Sequence, residues 1–93
     1  MDMKSDDLRL EHLENCFEYA KKENAKYIGV AIWTRGNEGL EIIINPSENF
    51  DKKLEYYKKA YNDNLVLKSY NGIKIVGFTY GKDFNEIEID LLG

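Results

Sequence analysis

Residues 27–44 read YIGVAIWTRGNEGLEIII, and this stretch decides the fold. Tyr27 to Trp33 is apolar on both parities: Ile28, Val30 and Ile32 share one face, Tyr27, Ala31 and Trp33 the other. A run covered on both faces is the pattern of a central strand, here Lys26–Thr34. Arg35-Gly36-Asn37-Glu38-Gly39 has the composition of a turn. Leu40–Ile44 resumes the strand pattern with Leu40, Ile42 and Ile44 on one face. A connection this short makes the two strands an antiparallel hairpin.

Working outward, residues 7–24 repeat Leu10, Leu13, Phe17 and Ala20 at three- and four-residue steps, with Cys16 beside them. That is one apolar stripe of a helix. Asp6 and Asp7 suit its positive end, Lys21 and Lys22 its negative end, and Asn24 terminates it. On the C-terminal side, Asn45-Pro46-Ser47-Glu48 reads as a helix start, with Asn45 as N-cap and Pro46 in the first turn. A second helix then runs to about Asp63, burying Phe50, Leu54, Tyr57 and Tyr61 and wetting Lys52, Lys53, Lys58 and Lys59. Asn71-Gly72 marks a turn, and Ile73–Tyr80 is a strand. Residues 65–70 read either as its hairpin partner or as a connecting segment. In the tail, Ile87 and Ile89 alternate with acids as in an edge strand, although Phe84, Ile87 and Leu91 also fit a helical turn. The strand reading is taken.

The expected architecture is α+β: two helices on one face of a mainly antiparallel sheet of three to five strands, in the order α-β-β-α-(β)-β. Ninety-three residues form one domain with one core, its ends at 1–6 and 92–93 frayed. The other sheet face, carrying Tyr27, Trp33, Phe78 and Tyr80, has no helix left to cover it. An open aromatic face is the expected consequence.

Composition narrows the function classes. The single cysteine, Cys16, permits no intrachain disulfide and no cysteine-based metal cluster, and suits a reducing, cytoplasmic setting. The N-terminus, MDMKSDD, is acidic and lacks the apolar stretch expected of a signal peptide, and no apolar run reaches the roughly 20 residues of a membrane span. The net charge is −4. Its distribution is uneven, since residues 1–19 and 83–93 together hold most of the acids and the middle of the chain most of the lysines. If the ends meet, one face is acidic, which disfavours nucleic acid as a partner.

Catalytic constellations are sparse. His12 and Cys16 lie one helical turn apart, but a buried helix cysteine is normally inert packing and a surface histidine normally solvated. No phosphate-cradling glycine motif is present. Asp83, Glu86, Glu88 and Asp90 lack the spacing and glycine of a calcium loop. The expectation is a protein that is not an enzyme and needs no cofactor and no metal. Its candidate partner-binding residues are Trp33, Tyr27, Tyr80, Arg35, Asp83, Glu86 and Glu88. The alternative, a nucleotide or other small ligand held between subunits, would use Lys52, Lys59, Arg35 and Trp33. A third reading is self-association through an exposed strand edge, giving a homodimer.

Residues 44–61, INPSENFDKKLEYYKKAY, followed by Ile73-Lys74-Ile75-Val76-Gly77-Phe78, resemble small uncharacterised proteins of phages and prophages of low-GC Gram-positive bacteria. The resemblance spans roughly residues 10–82, and its motifs are a helix start, an aromatic and lysine-rich helix, and a strand. It transfers no functional residue. It implies a setting in which accessory proteins bind, and in some cases inhibit, host or defence proteins.

Overall fold

The computed structural model describes residues 8–92, in the order α1 (Leu10–Lys22), β1 (Tyr27–Thr34), β2 (Glu41–Pro46), a 3-10 turn (Ser47–Asn49), α2 (Phe50–Ala60), β3 (Ile73–Gly81) and α3 (Phe84–Leu92). The three strands form an antiparallel sheet in the order β2-β1-β3, so the strand apolar on both parities is the central one. The α+β class and the hairpin follow the sequence reading. Among the described residues no helix is long and apolar enough to cross a membrane. Asp6 and Asp7, expected to cap α1, lie outside the described residues; Arg9 is the N-cap, and its backbone N–H donates to His12 Nδ1 at 3.0 Å.

One face of the sheet carries α1 and α2. Leu13, Phe17, Ala20, Ile28, Val30, Phe50, Tyr57, Leu65, Ile75 and Phe78 make its core. Phe17 meets the Phe50 ring edge-on, with centroids 5.6 Å apart, a favoured aromatic arrangement. Among the described residues Asn45 is the one side-chain amide buried in this layer. It donates Nδ2 to the Ile28 carbonyl at 3.1 Å and accepts the Tyr57 hydroxyl at 3.4 Å. This corrects its expected role as a helix cap. Asn45 and Pro46 end β2 instead, and α2 begins one 3-10 turn later and stops at Ala60 rather than Asp63. A strand residue facing the core can satisfy its amide there, which outweighs the local capping signal.

The tail is a helix, not a strand. Asp83 Oδ1 accepts the Glu86 N–H at 2.8 Å and so caps it. Ile87 and Leu91 are fully buried against the second face of the sheet, with Ala31 at the centre of that cluster and Tyr27, Ile42, Ile44 and Val76 around it. Ile89, which the strand reading would have placed beside Ile87, is 69% exposed. The helices are therefore split between the two faces, and the expected open aromatic face is covered in part. What admits α3 is a floor of small residues: at Gly29 a Cβ would collide with Ile87 Cγ2 and stand 3.2 Å from Leu91 Cδ1.

Residues 65–70 form no strand of their own. They are held by isolated bridges of Tyr61 to Leu67 and Val66 to Lys74, with Leu65 buried at a left-handed φ of 64°. Asn62 Oδ1 accepts the N–H groups of Asn64 (2.9 Å) and Val66 (3.1 Å), fixing this loop from within.

Candidate functional site

With α1 on one face of β3 and α3 on the other, a cleft of about 640 Å³ opens around the end of that strand. α1 supplies His12, Asn15, Cys16 and Tyr19; β3 supplies Thr79 and Tyr80; α3 supplies Glu86 and Asp90. The helical step of three and four aligns the four α1 residues on one stripe, and the same step puts Glu86 directly below Asp90. The acidic first helix and acidic tail thus border one cavity, and among the described residues no lysine or arginine lines it.

Each group has a defined state. Thr79 Oγ1 donates to Asp90 Oδ2 at 3.2 Å, which steadies that carboxylate and leaves its other oxygen unbonded among the described residues. Tyr19 is 57% exposed and forms the outer lip, while Tyr80 is half-buried. His12 Nδ1 is occupied by the Arg9 backbone N–H, so the neutral ring carries its proton on Nε2. Burial pushes the Cys16 thiol up to about 12, which keeps it protonated at neutral pH. Although the fold brings His12 and Cys16 to one cavity, the sulfur is a poor nucleophile. Among the described residues, no group of three or more His, Cys, Asp or Glu side chains is placed to hold a metal ion.

The structure separates the residues expected to form one partner-binding face. Tyr80 and Glu86 meet in the cleft. Phe78 and Tyr80 belong to the α1/α2 side of the sheet rather than to the face of Tyr27 and Trp33. Tyr27 is covered by Phe84, ring centroids 4.8 Å apart. Trp33 lies six residues along the same strand, about 20 Å away, beside Arg35 at the β1–β2 turn. Arg35 Nη2 donates to Asn71 Oδ1 at 3.4 Å. Asp83 is spent on the α3 cap, and Glu88 is exposed on α3 outside the cleft. Of the alternative ligand set, Lys52 and Lys59 are exposed on α2, and neither they nor Arg35 and Trp33 line the cleft.

A second, smaller hollow of about 310 Å³ lies between the end of α1 and the start of α2. The ion pair of Lys21 with Asp51 bridges it. Asn15, Tyr19 and Thr79 were missed by sequence reasoning. Tyr19 had a signal, being an aromatic on the border of the α1 stripe. Thr79 had none until α3 was placed.

Compared with known proteins, the chain matches no family model, no curated protein and no solved structure.

Proposed function

We propose that this chain is a non-catalytic accessory protein that binds a host or defence protein, and that the α1–α3 cleft receives a basic side chain of that target. The observation that carries the reading is the cleft's lining: two carboxylates, Glu86 and Asp90, and two aromatic rings, Tyr19 and Tyr80, with no lysine or arginine among the described residues that line it. A lysine or arginine entering such a cavity gains charge-assisted hydrogen bonds from the carboxylates and cation–π attraction from the rings. The high pKa of Cys16 supports binding over nucleophilic chemistry. The resemblance to phage and prophage proteins supplies the kind of target.

The test is capture from a Gram-positive host lysate, identification of the captured protein, and titration of that protein after purification. Against wild type stand Glu86→Gln with Asp90→Asn, Tyr80→Ala alone and Trp33→Ala alone. The two cleft variants weaken binding at least tenfold, and Trp33→Ala, on the far side of the sheet, leaves it unchanged. Equal affinity for wild type and both cleft variants removes the cleft from the reading.

A further inference from the structure

We infer that the outer edge of β2 is a homodimer interface: two copies join antiparallel, β2 against β2, about a two-fold axis at Ile43, into one continuous six-stranded sheet. This inference is independent of the cleft, which lies at the opposite edge of the sheet.

The first argument is the direction of the backbone. Ser47 N–H donates to the Lys26 carbonyl at 2.8 Å, so residue 47 turns toward β1. The Asn45 side chain reaching the Ile28 carbonyl at 3.1 Å agrees, because that carbonyl also points at β2. Antiparallel strands alternate. Residues 41, 43 and 45 therefore face β1, and the N–H and C=O groups of Ile42 and Ile44 face outward. Among the described residues nothing bonds these outward groups. Pro46 also turns outward, where its missing N–H costs no ladder bond.

The second argument is the contrast between the two edges. β3 carries a bulge opposite Ala31 and Ile32, and its first half is already bonded by the 65–67 segment: Ile75 N–H to the Leu65 carbonyl and Leu67 N–H to the Ile73 carbonyl, both 2.9 Å. Those are recognised ways of blunting an edge. β2 has neither. Its register with β1 is regular from Tyr27↔Pro46 to Ile32↔Glu41, and it holds three successive isoleucines and one charge, Glu41. Ile42 and Ile44 are only partly buried on the α3 face, and Trp33 and Leu40 beyond them are 38% and 36% exposed.

The third argument selects a second copy as the occupant. Centring the axis on Ile43 sets Ile42 against Ile44 of the second copy, and Ile44 against Ile42. Both are outward residues, so each pair exchanges both backbone hydrogen bonds. Ile43 meets its own counterpart on the α2 side, Glu41 meets Asn45, and Leu40 meets Pro46. Each isoleucine faces an isoleucine, the charged Glu41 faces a polar residue, and no charge faces a like charge. Moving the axis to Ile44 would set Pro46, without an N–H, against Ile42. Moving it to Ile42 would set Glu41 against Ile43. The strand is complementary to itself in one register.

That register makes a sharp test. Ile43 and its counterpart form a non-hydrogen-bonded pair, with Cα atoms about 4.5 Å apart, inside the range a disulfide accepts. In a Cys16→Ala background, Ile43→Cys gives a disulfide-linked dimer on mild oxidation. Ile42→Cys, whose counterpart sits on a diagonal about 7–8 Å away, gives none. Light scattering on wild type finds a mass approaching twice the chain's 10.9 kDa as concentration rises. Ile42→Lys, with unchanged circular dichroism, returns it to one chain. A wild-type mass that stays at one chain up to millimolar concentration overturns the inference. So does cross-linking of Ile42→Cys as fast as Ile43→Cys, or a dimer that Ile42→Lys leaves intact.

Discussion

Gly29→Ala places one methyl group where α3 rests. Two effects of opposite sign compete at that position. Replacing glycine inside a strand recovers roughly 0.5–1 kcal/mol of backbone entropy. Against this, the new Cβ would overlap Ile87 Cγ2 and press Leu91 Cδ1 at 3.2 Å. Ile87 is β-branched and fully buried, so it cannot swing aside as a long side chain could. Overpacking of this kind costs about 1–3 kcal/mol, so the clash wins and the variant is less stable. Urea unfolding followed by circular dichroism measures it, with total stability on the order of 5–15 kcal/mol for a domain of this kind. Ile87→Ala alone removes the buried branch and costs about 2–5 kcal/mol. In the double variant the added methyl occupies part of the space Ile87 vacated, so the two costs are less than additive. A neutral or stabilising Gly29→Ala, or strict additivity in the cycle, would refute the seating of α3 on Gly29.

Other outcomes are equally specific. Asn45→Ala leaves the Tyr57 hydroxyl without its acceptor in a buried layer and lowers stability by about 1–3 kcal/mol; Tyr57→Phe, which removes only the hydroxyl, costs less, and thermal unfolding orders the two. Asp83→Ala removes the α3 cap and costs about 0.5–2 kcal/mol, with faster hydrogen exchange at the Glu86 amide as the local readout. Burial pushes Cys16, Tyr57 and Tyr61 each up to about 12, from 9.0, 10.0 and 10.0. The folded state thus keeps protons that the unfolded chain releases, and stability falls as pH rises from about 9 toward 12. Urea midpoints that stay level from pH 8 to 11 would contradict this, and Cys16→Ala should flatten the first part of the decline.

The central hairpin was legible because β1 is apolar on both parities and β2 on one; no competing pattern fits residues 27–44. Helix α1 was legible for the same reason. The tail misled because Ile87 and Ile89 alternate with acids, and only the demand of a bare sheet face decides that Ile87 is buried and Ile89 is not. Gly29, Ala31, Gly77 and Gly81 were the overlooked signal: small residues spaced along two strands leave room for something to lie close. Asn45 misled in the opposite way, since its side chain suits a helix cap as well as a buried hydrogen bond. The candidate site was half legible. Glu86 and Tyr80 were named, but on the wrong grounds, because the cleft exists only once α3 stands across β3 from α1.

The two walls of that cleft are anchored very differently. α1 is fixed by a core that extends through both helices and all three strands, whereas α3 is fixed chiefly by Ile87 and Leu91. Burying two such side chains stabilises the docked helix by roughly 3–6 kcal/mol at most. The expectation from that measure is that α3 opens before global unfolding, with amides that lose exchange protection ahead of those of β1. A guest gripped by Glu86 and Asp90 then shifts this local equilibrium toward the docked state. Slowed exchange along α3 becomes a signature of occupancy even when the ligand touches only its inner face.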